Sequence, residues 1–239
     1  WTAAFHPHHV DAAQVLLTTE DVMARDHYTN ATAALGRLLS LGVVPIVNEN
    51  DAVTTRELRF GDNDRVAAII AQMVQADALV LLTDVDGLYT APPSRPGARL
   101  IERVDSTDDL MSVLVTGAGS KVGTGGMASK VQAATMASAS GIGVLLANAD
   151  NVEEALSGKG TGTWFAPTHE RPASRRLWIA HAAPSRGELV VDAGAARAIT
   201  VGKKSLLAAG VVSVAGHFDA GDVVDIASPT GLVARGIVS

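Results

Sequence analysis

The apolar positions of this chain fall into two rhythms. Short runs rich in Val, Ile and Leu lie at Gln14 to Leu17, Val43 to Val47, Ala78 to Leu82 and Ile142 to Ala147. Runs of that length without strict alternation predict strands buried on both faces, as in a parallel sheet. Helical periods lie between them. Over Asp62 to Asp77, Val66, Ile69, Ile70 and Met73 fall at i, i+3, i+4 and i+7, which makes one apolar stripe to lay on a sheet. Asp62, Asn63 and Asp64 open that helix, where caps and carboxylates suit the positive end of its dipole. Met127 to Ser140 predicts a second helix capped by Gly141, and Tyr28 to Leu41, ending at Gly42, a third. Strands alternating with helices predict an α/β layered domain with a mainly parallel sheet.

The rhythm changes near Pro167. The segment Pro167-Thr-His-Glu-Arg-Pro-Ala-Ser-Arg-Arg176 has two prolines, several charges and no period, so it reads as a linker. Beyond it, Leu177 to Ile179, Gly187 to Val191, Val211 to Val214, Asp222 to Ile226 and Val233 to Val238 are short strand-like runs punctuated by glycine. One helix, Ala193 to Thr200, interrupts them. The expected division is a first domain over 1–166, a linker over 167–175 and a small β-barrel-like domain over 176–239.

Composition narrows the possible functions. Of 239 residues, 47% are hydrophobic and 18% charged, which excludes a disordered chain. A net charge of −6 argues against a protein that blankets nucleic acid by neutralising phosphates. There is no cysteine, so thiolate metal sites, thiol nucleophiles and disulfides are excluded. No apolar run approaches the roughly 18 residues of a membrane span. The chain opens on Trp1, with neither Met nor a leader-like pattern, and the expectation is that something upstream is missing.

Polar clusters follow the strands at the place where parallel α/β sheets bind ligands, beyond the carboxyl ends. Asn48-Glu-Asn-Asp51 follows Val43 to Val47, and Gly61-Asp-Asn-Asp64 opens the next helix. A lone cluster of this kind is an Asx-rich turn; two in one βα unit favour a site. Thr83-Asp-Val-Asp-Gly-Leu-Tyr89 follows Ala78 to Leu82, and its position at another strand's end gives weight to what is otherwise an ordinary Asp-Gly turn. Gly117 to Gly126 contains five glycines and leads into the Met127 helix. Such a loop lets backbone N–H groups approach an anion at a helix N-terminus, and Lys130 is placed to reach a transferring phosphoryl group. The Gly-Lys-Ser/Thr order of a Walker A loop is absent. His6, His8 and His9 have no carboxylates at metal-like spacing and read as solvated, as do Arg171, Arg175 and Arg176.

Val-Pro-Ile-Val-Asn-Glu-Asn-Asp51, Phe-Gly-Asp-Asn-Asp64, Leu-Leu-Thr-Asp84 with Gly-Leu-Tyr89, and Gly-Thr-Gly-Gly-Met-Ala-Ser-Lys130 resemble, in order and spacing, the glutamate 5-kinases of the amino acid kinase family. The stretch from about Arg176 to Ser239 resembles the PUA domain that many bacterial members carry. The resemblance implies an α/β/α sandwich followed by that β-barrel-like domain. It also implies transfer of the ATP γ-phosphate to the side-chain carboxylate of L-glutamate, the first step of proline synthesis, with Mg²⁺ and with feedback inhibition by proline. A cytoplasmic homo-oligomer, with hand-off to a glutamyl phosphate reductase, goes with it. By motif match, Asn48, Asp51 and Asn63 bind glutamate and Asp64 orients the catalytic groups. Thr83, Asp84, Thr124, Gly125, Gly126, Met127 and Lys130 bind ATP, with Lys130 stabilising the phosphoryl group. No residue is assigned as a metal ligand. The chemistry agrees with these roles: the acceptor carboxylate is ionised at neutral pH, so alignment and charge neutralisation suffice without a strong base.

The family's opening strand with its Lys-x-Gly-Thr/Ser phosphate loop, and its Ser-Gly-Ala motif, do not occur here. Trp1 matches a position inside the family's kinase domain, so these 239 residues alone are expected to have little or no kinase activity. Two other readings compete. One is an amino acid kinase with a different acceptor, of the carbamate or acetylglutamate type. The other is an RNA-binding protein, which six Lys+Arg against five Asp+Glu from Arg176 to Ser239 support only weakly.

Overall fold

In the computed structural model, which describes residues 1–50, 52, 63–105, 126–158, 162–167 and 178–239, each of the four apolar runs is a strand. In chain order the elements are Thr2–Phe5 (α1), Asp11–Leu17 (β1), Thr19–Met23 (α2), Arg25–Ser40 (α3), Val43–Glu49 (β2), Asn63–Met73 (α4), Ala78–Thr83 (β3), Arg103–Val104 (β4), Gly126–Ala139 (α5), Gly143–Asn148 (β5), Val152–Leu156 (α6) and Thr163–Phe165 (β6). Gly187–Val191 (β7), Ala193–Thr200 (α7), Val211–Gly216 (β8), Val223–Ser228 (β9) and Gly231–Ile237 (β10) follow. They form two compact units, Trp1–Val22 with Asp26–Ser174 and Met23–Arg25 with Arg175–Ser239.

In the first unit β1 and β2 pair in parallel, from Asp11 opposite Val43 to Leu17 opposite Glu49. A second sheet has the order β3-β5-β6-β4. β3 and β5 are parallel, with Ala78 opposite Gly143 and Thr83 opposite Asn148; β6 is antiparallel to β5 and parallel to β4. Alternate residues of a strand share a face. Leu81, Val144, Leu146 and Phe165 accordingly form one core with α4 and α5. The helices contribute mainly alanines to it, Ala68 and Ala71 from α4 and Ala133, Ala134 and Ala137 from α5. Small side chains let helix backbones approach the sheet closely, and full burial of each Leu or Phe against them contributes roughly 1.5–3 kcal/mol.

The ends of these helices explain where expectation and structure part. Gly141 adopts φ +79°, and the N–H groups of Gly141 and Ile142 donate to the carbonyls of Ser138 and Ala137. That is the glycine-capped helix end the sequence predicts. α4 was expected to run to Asp77 but stops at Met73. Gln75 takes the left-handed conformation at φ +52°, and Ala76 N–H bonds back to Ala71 O at 2.9 Å. A left-handed cap on a non-glycine residue leaves no glycine to mark it in the sequence.

α4 and α5 are bolted together at both ends. At one end the fully buried Gln72 donates to Ser140 Oγ at 2.9 Å, and Ser140 Oγ in turn donates to Met136 O at 2.9 Å. At the other end Asp64 accepts from Ser129 and Lys130. Start therefore meets start and end meets end, so the two helices run parallel.

The second unit is built on the sheet β10-β9-β7-β8, in which β9 is antiparallel to β10 and parallel to β7. Val191, Val223, Val224 and Ile226 are buried in it. α7 spans the expected residues, and Asp192 caps it by accepting from Ala195 N–H at 2.7 Å. The expected strand Leu177 to Ile179 is corrected. Leu177 lies outside the described residues, and Trp178–Ala182 forms a wide helical turn in which Ala183 N–H reaches back to Trp178 O at 2.8 Å. Arg235 explains why helix wins there. Its Nη1 donates to the carbonyls of Ile179 and Ala180 at 3.1 and 3.2 Å while Nε bonds Asp225 at 2.7 Å, so the turn is held by a side chain that is distant in sequence. The proline-rich stretch 168–176 lies outside the described residues.

Candidate functional site

α5 has 14 residues and β5 six, so the helix is about 21 Å long and the strand about 20 Å. A tight turn at Gly141 joins them, and each helix packed on the sheet therefore runs back along its following strand. The same holds for α4 and β3. The N-termini of α4 and α5 consequently lie on the rim formed by the carboxyl ends of the strands. Both dipoles present their positive ends on that rim.

Asp64, the second residue of α4, and Lys130, the fifth of α5, meet there. Lys130 Nζ lies 2.8 Å from Asp64 Oδ1 and 3.0 Å from Oδ2. Both side chains are mostly buried, at 17% and 16% exposure. Ser129 Oγ donates to Oδ2 of the same carboxylate at 3.0 Å. Salt screens a pair this enclosed far less than an exposed one. Sequence reasoning anticipated Asp64 and Lys130 individually, and the structure pairs them.

Asn48 at the end of β2 and Asn63 at the start of α4, both expected substrate ligands, line one open cavity of about 470 Å³. Its remaining walls include Pro45, Val47, Val66 and Ile70. Thr83 ends β3 and Asp84 follows it, with Thr83 Oγ1 donating to Asp84 Oδ1 at 3.1 Å. Gly126 is the first residue of α5, and Met127 packs against the core of the first unit. Asp51, Thr124 and Gly125 lie outside the described residues, as do Gly61, Asp62 and the glycine-rich run before Gly126.

The segment after β3 is held from behind. Thr163, fully buried on β6, accepts from Leu88 N–H at 2.8 Å and donates to Ile101 O at 2.6 Å, while Ile101 N–H returns to Leu88 O at 2.8 Å. Gly87 makes that approach possible: a Cβ there would sit 2.7 Å from Thr163 Oγ1 and 3.0 Å from Thr163 N. Gly87→Ala is expected to lower stability by about 1–3 kcal/mol, the usual cost of overpacking, read as a lower guanidinium midpoint. A midpoint equal to wild type would show that the segment yields freely.

Asn148, the last residue of β5, is a rim residue that sequence reasoning missed. Its Nδ2 donates to Asp86 Oδ1 at 3.3 Å and its Oδ1 accepts from Asp150 N–H at 2.9 Å. The rule that singled out Asn48 and Thr83, a polar residue directly after an apolar strand, also identifies it. Tyr89 hydroxyl donates to Asp86 Oδ2 at 3.3 Å. Partial desolvation, then the charge of Asp86 and this bond, hold the phenol above its ordinary pKa.

A layered α/β unit with two helix N-termini, a lysine and strand-end amides on one rim has the electrostatics that suit anionic ligands. Residues 1–148 match the amino acid kinase family and residues 187–239 match the PUA domain. The chain belongs to the amino acid kinase family. A glutamate 5-kinase of Salinispora arenicola is 53% identical over 241 residues, covering 100% of this chain and 65% of its own. A glutamate 5-kinase of Thermobifida fusca is 50% identical over 242 residues, covering 100% of this chain and 62% of its own. This chain thus spans a little under two thirds of these curated relatives. Among solved structures, carbamate kinase from Giardia lamblia bound to AMP-PNP superposes with TM-score 0.52 at 17% identity, over 69% of this chain and 65% of that one. That last likeness is one of fold.

Proposed function

We propose that the protein to which this chain belongs transfers the γ-phosphoryl group of ATP to the side-chain carboxylate of L-glutamate. The pairing of Lys130 with Asp64 on the helix-start rim carries the reading, together with the 50–53% identity to proteins named glutamate 5-kinase. A carboxylate oxygen of glutamate attacks the γ-phosphorus, the bond from that phosphorus to the β,γ-bridging oxygen breaks, and ADP leaves with the electron pair. The acceptor has no proton to lose, so the site has only to align the groups and spread negative charge.

In this reading Lys130 neutralises charge developing on the phosphoryl oxygens, and Asp64 aims it. Asn48, Asp51 and Asn63 recognise glutamate, whose ammonium needs an anion and whose α-carboxylate needs N–H donors. Thr83, Asp84, Thr124, Gly125, Gly126 and Met127 hold the nucleotide. Among the described residues no group of three ligating side chains gathers for a metal. Mg²⁺ commonly keeps phosphate oxygens and waters as ligands, and in this reading it would arrive with ATP and offset phosphate charge.

The kinase domain is assigned to 1–166, the linker to 167–175 and the PUA domain to 176–239. The product, an acyl phosphate, is prone to hydrolysis, which favours prompt hand-off to a reductase in a proline-forming sequence, with proline as inhibitor and a cytoplasmic homo-oligomer as the working form. Among the described residues no helix is long and apolar enough to cross a membrane.

Asp51→Ala in the full-length protein is expected to raise the glutamate KM about tenfold or more, as loss of a charged hydrogen-bond partner does, and to weaken proline inhibition while kcat changes less. Steady-state kinetics with varied glutamate check it. An unchanged KM and unchanged inhibition would remove Asp51 from the site.

A further inference from the structure

Ser129 precedes Lys130 on α5, and both donate to Asp64. Consecutive helix residues point about 100° apart and do not ordinarily face one partner. Here the short serine side chain reaches Oδ2 at 3.0 Å, and the long lysine side chain spans Oδ1 and Oδ2 at 2.8 and 3.0 Å. The consequence is geometric. A lysine ammonium is a point charge on a flexible stem with three rotatable donors, and a carboxylate can turn about its own bond to follow it. A second donor on one oxygen sets the plane of the carboxylate, and that plane sets the direction of the ammonium.

We propose that Ser129 is a positioning residue: its hydroxyl locks the Asp64 carboxylate so that Lys130 is presented in one orientation. The catalytic consequence rests on the reading of Lys130 as the phosphoryl stabiliser, whereas the locking of the amine does not. Sites of this kind need their groups held within about 0.5 Å of the productive geometry, so a loose lysine lowers turnover more than substrate binding.

The test uses the full-length protein with Ser129→Ala and Ser129→Thr, each alone and in an Asp64→Ala background. Alanine is the best helix former, so Ser129→Ala preserves α5, and Ser129→Thr restores the hydroxyl. The first measurement is acetic anhydride labelling of Lys130, followed by peptide mass spectrometry with no nucleotide or acceptor present. The second is kcat and KM. Ser129→Ala is expected to raise Lys130 labelling severalfold and to lower kcat about tenfold, the worth of one charge-assisted hydrogen bond, with both KM values within about twofold. Ser129→Thr is expected to restore both readings, and Ser129→Ala to add nothing once Asp64 is Ala. Unchanged labelling in Ser129→Ala, no rescue by threonine, or full additivity with Asp64→Ala would each overturn the proposal. If labelling shifts as expected in a protein that forms no glutamyl phosphate, the locking of the amine stands and the kinase reading fails.

Discussion

Lys130→Ala in the full-length protein is expected to lower kcat about 10²-fold, the usual loss when one preorganised charge stabiliser is removed from a transition state. The geometry argues for an effect at the upper end. Lys130 and Asp64 form a mostly enclosed pair on the rim, so deleting the amine leaves the Asp64 carboxylate without Lys130, and in the proposed reading that carboxylate then repels the nucleotide phosphates. Attraction becomes repulsion at one point in space. Turnover is expected to fall more than binding, because charge on the phosphoryl oxygens develops during transfer. Steady-state kinetics with saturating glutamate read the effect. Turnover within about threefold of wild type, under half a decade, would take Lys130 out of the chemistry.

The second large effect is on stability. Asp64→Ala removes the acceptor that joins the starts of α4 and α5 and leaves Lys130 without this partner. Breaking a fully buried pair costs about 3–5 kcal/mol; with both side chains 16–17% exposed, water recovers part of this, and about 2–3 kcal/mol is expected. At roughly 2–4 °C per kcal/mol for a domain of this size, the Tm should fall by about 4–12 °C. Asp64→Asn should lose less, since an amide oxygen still accepts from Ser129. Thermal unfolding followed by circular dichroism distinguishes the two variants. Equal Tm values for wild type and Asp64→Ala would mean that the remote bolt through Gln72 and Ser140 alone holds the helices together.

How much of this was legible beforehand depended on the range of the interaction involved. β1, β2, β3 and β5 were visible as short Val/Ile/Leu-rich runs, but the expected burial on both faces holds only for β5, since Leu16 of β1 and Leu82 of β3 are 44% exposed; α4 was visible because Val66, Ile69, Ile70 and Met73 repeat at helical spacing. β7 and α7 span the expected residues, and the structure adds that Asp192 caps α7. β4 and β6, of two and three residues, are too short to show a period; their pairing comes from register between distant segments. The turn at Trp178 was misread as strand because Arg235, some 56 positions away, decides it.

The site was legible in the same measure. Strand-end polar residues and the lysine after a glycine-rich run could be picked out singly. That Lys130 and Ser129 would share Asp64, 66 and 65 positions away, follows from two helices running parallel, which no local pattern records. Asn148 shows a different lapse: the strand-end rule applied to it as it did to Asn48.

The central claim is that the full-length protein phosphorylates the side-chain carboxylate of glutamate. Hydroxylamine trapping tests it directly, because an acyl phosphate is converted to a hydroxamate, which ferric ion turns coloured, and a phosphorylated alcohol or amine is not. The account predicts glutamyl hydroxamate that requires glutamate, ATP and Mg²⁺ together and is nearly abolished by Lys130→Ala. ATP turnover with carbamate or acetylglutamate but no hydroxamate from glutamate would contradict it.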